Sequence, residues 1–278
     1  MMIFPKMKVL SLFTVPTAQS KTGHQIATEA HSAPPRTGKG FSVHDKFVLF
    51  GHQHLIVMAL TFAVPALIAG VRRSRLPDAD HLFRWFFAAV LIGTWIAWYV
   101  LFIARGWLGL GNELPMNLCD WATIALIAAL IRPGQRTYEL AYFWALAGTM
   151  QGLVTPDVNF AFPEPQFIVF LLGHGTIIAA VIYLTFGTHL RPVPASIPRV
   201  AAWTIFYAVA ASATDWLLGV NYGFFRAKPG HATFYDLLPD WPYYIPLTVL
   251  LGIAAILILY APWFIADVIG RDSRRRTA

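Results

Sequence analysis

The chain has 278 residues, of which 57% are hydrophobic and 13% charged, against roughly 45–50% and 25% in an ordinary soluble domain. A mean hydropathy of +0.56 and several apolar runs near the ~20 residues that cross a bilayer argue against a soluble protein and exclude a disordered or collagen-like chain. A single cysteine, Cys119, excludes an internal disulfide and a multi-cysteine zinc site, and in such a chain the net charge of +7 reads as loop arginines rather than a nucleic-acid surface.

Residues 1–46 are rich in Lys, Ser, Thr, Pro and Gly. They are expected to be a disordered extension outside the fold, because the apolar patch 9–15 is interrupted by Ser11 and Thr14 and makes a weak signal peptide. The domain 47–265 then carries seven apolar stretches, approximately 47–70, 83–104, 114–131, 138–155, 166–187, 200–219 and 243–265. Pro, Gly and charge clusters such as RPGQRTYE and RPVPASIPR separate them, and residues 266–278 form a basic tail. The expectation is an all-α, polytopic membrane protein: a seven-transmembrane-helix bundle.

Lysine and arginine set the orientation, because basic loops resist translocation. Loops one, three and five with the tail hold 12 arginines, whereas the opposite side holds Arg105, Arg226 and Lys228. This places the C-terminus in the cytoplasm. Six basic residues in the first 46 oppose that orientation. The expected location is the cell membrane, multi-pass, in a bacterial inner membrane.

Polar residues inside the spans gather near their outer ends. At about 1.5 Å per residue, His54 lies about 10 Å into the first span, Cys119 and Asp120 roughly 6–8 Å into the third and Gln151 at a similar depth in the fourth. His174 lies about 12 Å into the fifth, and Asp215 roughly 6–8 Å before the end of the sixth. Each residue alone has a plain structural use, as a cap or an interhelical hydrogen bond. Several at one depth are expected to line a cavity, because ionisable groups in a bilayer persist mainly where they face a bundle interior. On the fourth span Trp144, Gly148, Gln151 and Thr155 share one α-helical face, and Gly148 and Gly152 form a GxxxG pair that also suits plain helix packing. His52 and His54 cannot both face the cavity, and His54 is the inward candidate.

Two chemistries fit this layer. Cys119 could act as a nucleophile, with His174 or His54 as base and Asp120 or Asp215 orienting the imidazole. Alternatively His54, His174 and a carboxylate could hold zinc and hydrolyse a lipid, although the spans contain no HExxH or HxxxH pair. A transporter or small-ligand binding protein is the competing class, disfavoured by the lack of a repeat and of polar continuity toward the cytoplasm. Asn117, Asn221 and Tyr222 also count as pocket-lining candidates, and Arg226 and Lys228 as cations for a lipid phosphate. The aromatic, proline-rich loops read as an interfacial belt.

The motifs FVLFGHQHLIVM, ELPMNLCDW, FWALAGTMQGLVTPDV, FLLGHGTII, NYGFFRAKP and DWPYYIPL, spread over about residues 41–265, resemble in order those of the YwaF family of bacterial integral membrane proteins. That family is distantly similar to a eukaryotic transmembrane family of phospholipid acyltransferases. The resemblance implies a Cys/His catalytic pair, Cys119 and His174. It also marks a departure: the family carries His two residues before the cysteine, where this chain has Asn117. The expected function is lipid-modifying acyl transfer with membrane lipid as the partner, requiring no cofactor, no metal, no nucleic acid and no protein partner.

Overall fold

The computed structural model describes residues 47–75, 79–109, 113–156, 158, 161–188, 190–230 and 233–276. The expected N-terminal extension lies outside the described residues. All of those described belong to the unit Arg36–Ala278, and they are helical with no strand among them.

Helix α1 spans His52–Arg75 and α2 spans Asp80–Arg105. Helix α3 covers Leu118–Ile131, and α4 covers Gln135–Trp144. A π-helical turn, Ala145–Thr149, joins α4 to the short α5, Met150–Val154, without a break in the rod. Helices α6 (Pro165–Gly187), α7 (Ser196–Leu218) and α8 (Tyr244–Arg276) complete the set. Two 3₁₀ turns, Tyr222–Phe224 and Phe234–Leu237, lie in the connection before α8.

The boundaries follow from local chemistry. Gly106 and Gly219 end α2 and α7 with φ of 67° and 71°, the left-handed conformation in which glycine meets no Cβ penalty. Pro165 occupies the first turn of α6, where its missing N–H costs nothing. Helix α3 stops at Arg132, the residue before Pro133, in an extended conformation.

Among the described residues, four helices (α1, α2, α6 and α8) are long and apolar enough to cross a membrane, and α3 is a shorter apolar helix. The chain is a helical membrane protein of that coarser description. Helix α6 is the centre: 61% of its most apolar window is buried, against 11% for α8. It packs against α1, α2, α3 and the α4–π–α5 rod. The large apolar side chains left outside, such as Trp216, Ile205 and Ile258, form the face that water would penalise and lipid would not.

Hydrogen bonds sort the helix ends into two sets. At one end Tyr183 donates to Asp80 Oδ1 at 2.8 Å, and Arg84 reaches both Asp80 Oδ2 and the Leu130 carbonyl at 2.7 Å. There too Arg199 grips the buried Glu139 with two bonds of 2.9 and 2.6 Å, and Arg191 meets Asp267 at 2.6 Å. At the other end His54 meets Leu153, Leu114 meets Tyr222, and Tyr244 donates to the Phe224 carbonyl. Successive rods therefore run in alternating directions, and Cys119 lies at the second end, opposite Glu139.

Candidate functional site

Cys119 is the second residue of α3 and is half-buried. Asn117 is the N-cap of that helix and forms a capping box with Asp120: the Asn117 N–H donates to Asp120 Oδ2 at 2.9 Å. The arrangement satisfies donors that a helix start leaves unpaired. It explains Asn117 and Asp120 as positioning residues for the turn that carries the thiol. Leu118 and Trp121, on either side of Cys119, pack against the cluster of Tyr207, Ala211 and Tyr222, with the Trp121 and Tyr207 centroids 5.4 Å apart.

Across from this turn, α7 and the following loop carry a set of buried polar groups. Asp215 is fully buried; its Oδ1 accepts the Tyr222 N–H at 2.6 Å, while its Oδ2 has no partner among the described residues. The hydroxyl of Tyr207, a residue 4% exposed, also has none. Tyr207 shares a buried cluster with Ala211 and Tyr222, against which Met116, Leu118 and Trp121 of the Cys119 segment pack. An unpaired buried polar group costs about 1–3 kcal/mol, so two of them at this end of α7 are an expense that packing alone does not explain. Burial pushes the Tyr222 and Tyr235 phenols above the usual tyrosine range, keeping them protonated.

The two histidines have different surroundings. His54 is fully buried, with Nδ1 accepting the Phe50 N–H at 3.1 Å and Nε2 donating to the Leu153 carbonyl at 2.7 Å. Both nitrogens are spent on backbone, so the ring braces the start of α1 against α5. His174 donates from Nδ1 to the Phe170 carbonyl at 3.0 Å and stacks on the Phe170 ring at 4.0 Å. Its Nε2 therefore carries the lone pair. That atom faces Gly152: a Cβ there would lie 2.9 Å from Nε2 and 2.7 Å from Cδ2. A Cβ at Gly148, on the same rod, would lie 2.5 Å from Leu118 Cδ2. The GxxxG pair thus seats the neighbour of Cys119 on one glycine and His174 on the next, and no hydrogen bond joins Cys119 to His174 among the described residues.

Gln151 departs from the expected face. It is exposed, whereas Trp144 is buried. The π turn between them, invisible to a count in steps of 3.6, widens the helix locally and rotates the residues beyond it. Asn221 is spent inside the loop: Oδ1 accepts the Arg226 and Ala227 N–H groups at 3.0 and 3.1 Å, and Nδ2 donates to the Ala227 carbonyl at 2.9 Å. Tyr222 is buried and its hydroxyl accepts the Leu114 N–H at 3.0 Å. Arg226 donates from Nη1 to the Asp215 and Val220 carbonyls, both at 3.2 Å, closing the C-terminal end of α7. Lys228 donates to the Leu238 carbonyl at 2.7 Å and lies 3.6 Å from Asp240.

No group of three His, Cys, Asp or Glu among the described residues is placed to hold a metal, and His54 has no free lone pair to offer one, so the zinc arrangement does not fit. The residues that sequence reasoning missed are Tyr207 and Glu139. Tyr207 follows Phe206 in an apolar run and carries no motif. Glu139 could have been found as the sole carboxylate in the stretch 138–155, where it needs the basic partner that Arg199 supplies.

Comparison with known proteins places this geometry in a family. A protein of Treponema pallidum (strain Nichols), titled an uncharacterised protein, is 29% identical over 196 residues, 66% of this chain and 76% of the relative. No solved structure matches. Residues 49–260, which contain both histidines, Cys119 and Asp215, match the model of the TMEM164 family. The matches support the TMEM164 family and not YwaF specifically: the chain belongs to the TMEM164 family.

Proposed function

We propose that this protein is a multi-pass enzyme of the bacterial cell membrane that moves acyl chains between membrane lipids through a thioester on Cys119. The observation that carries the reading is the lone thiol on a turn whose Leu118 and Trp121 pack against the cluster of Tyr207, Ala211 and Tyr222, where the buried phenol and the buried Asp215 oxygen have no partners among the described residues. His174 supports it, because its tautomer leaves the lone pair on Nε2, and its ring is packed on Gly152, one helical turn from the glycine that seats Leu118. In the first half-reaction the Cys119 proton passes to His174 Nε2 as sulfur attacks the ester carbonyl carbon. The C–O bond then breaks, and the departing lysolipid oxygen takes that proton. The step requires thiol and imidazole to approach on substrate binding, as catalytic hydrogen bonds do when they tighten from the free enzyme. The seven-crossing topology with a cytoplasmic C-terminus is part of the same proposal.

The test uses membranes containing the full chain and phospholipid with an alkyne-tagged acyl group. Wild type should acquire a hydroxylamine-sensitive label, Cys119→Ala should acquire none while staying folded in the membrane, and His174→Ala should label at least tenfold more slowly. Wild type without label, or a lipid profile that Cys119→Ala leaves unchanged, would overturn the reading in favour of a binding or transport protein.

A further inference from the structure

The buried polar groups at this end of α7 exceed what a nucleophile and a base require. Asp120 is committed to the cap of α3, His54 to two backbone groups and Asn221 to its own loop. What remains open is one acceptor, Asp215 Oδ2, and one donor, the Tyr207 hydroxyl. Both are brought to the same place by the dipeptide Tyr222–Gly223. The Tyr222 N–H holds Asp215 Oδ1 at 2.6 Å and so fixes the direction of the other oxygen. Gly223, at φ of 61°, lets the Tyr207 hydroxyl pack directly against its backbone: a Cβ there would stand 2.6 Å from the phenol oxygen. The positive φ and the close approach both call for glycine at this position.

The two open atoms define a ligand chemistry. An ester carbonyl would satisfy Tyr207 and leave Asp215 unpaired, and an ammonium group would do the reverse. A hydroxyl group satisfies both, donating to the carboxylate and accepting from the phenol. We infer that Asp215 and Tyr207 form the binding site for the alcohol that receives the acyl chain, with Asp215 Oδ2 as its base and Tyr207 holding its oxygen. The inference rests on the thioester reading above and extends it to the second half-reaction. The alcohol oxygen attacks the carbonyl carbon of the Cys119 thioester as its proton passes to Asp215. The C–O bond forms, the C–S bond breaks, and the sulfur recovers its proton from Asp215, so thiol and carboxylate are both regenerated without a further reactant. His174 serves the arrival of the acyl chain and Asp215 its departure.

This division of labour has a readout that a structural role would not give. Asp215→Asn keeps an oxygen for the Tyr222 N–H, and Tyr207→Phe removes only the hydroxyl, so both retain the loop. The full chain is reconstituted in vesicles of phosphatidylethanolamine and phosphatidylglycerol carrying an alkyne-tagged acyl group, together with their lyso forms as acceptors. Two quantities are followed: hydroxylamine-sensitive label on Cys119 and tagged diacyl product. Both variants should accumulate at least tenfold more labelled Cys119 than wild type while product formation falls by roughly 10²–10⁴. Variants that lose product without accumulating label, or that form product at the wild-type rate, would overturn the inference and leave the thioester reading standing. Wild type that neither labels nor transfers would remove both, which distinguishes the two failures.

Discussion

The ring of His174 rests directly on the backbone of Gly152, so close that a methyl group at position 152 would lie 2.9 Å from Nε2. The ring has little freedom to retreat, being stacked on Phe170 and bonded to its carbonyl. Gly152→Ala should therefore cost about 1–3 kcal/mol of stability, the usual penalty for overpacking. It should also slow labelling of Cys119 by displacing the base. Thermal unfolding in detergent and the labelling rate measure the two effects separately; a variant with wild-type stability and rate would show that His174 moves freely.

His54 should behave as a brace. Removing its ring leaves the Leu153 carbonyl and Phe50 N–H without their partners, a loss of about 1–3 kcal/mol for each group that stays buried. His54→Ala is thus expected to lower the melting temperature while the protein that remains folded transfers acyl chains at the wild-type rate. Loss of transfer from fully folded His54→Ala would assign this ring to the chemistry instead.

Glu139 anchors the opposite end of the bundle. It accepts from Arg199 and from Gln135 and is 1% exposed, whereas the Arg199 side chain is 39% exposed. Because Arg199 can still reach solvent or headgroups after its partner is removed, Glu139→Ala should cost nearer 1.5–3 kcal/mol, the range for charge-assisted hydrogen bonds, than the larger penalty for an orphaned buried charge. Glu139→Gln should lose less, since one oxygen still accepts. A melting curve for each variant checks the order, and equal losses would show that the charge contributes everything.

Orientation is open to direct measurement. With 12 arginines on one side and three basic residues on the other, a reporter enzyme active only in the cytoplasm should work when fused after Arg276 and be silent when fused at Gly230. The reverse pattern would invert the topology.

The helical membrane architecture was legible because it depends on composition and on apolar runs, which a sequence displays directly. His54 and Asp215, which stand out as polar residues inside apolar runs, are both fully buried. Other features depend on contacts between distant segments. Tyr207 reads as one more aromatic in α7 until Gly223 and the turn of Cys119 are brought against it. Arg226 reads as a free cation until the end of α7 offers it two carbonyls. Gln151 falls on a different face because a period of 3.6 assumes an unbroken α-helix.

That interruption has a consequence for how the chain can vary. The π turn at Ala145–Thr149 contains one residue more than a regular α-helical turn would use. Deleting a single residue there would close the wide turn to an ordinary one, so Gly152 and Leu153 would keep their faces toward His174 and His54. A deletion in a regular α-helical stretch of the same rod would instead swing everything beyond it by about 100°. The rod can therefore lose a residue at Ala145–Thr149 and keep its contacts with α1 and α6, whereas the same loss within Gln135–Trp144 should uncouple them.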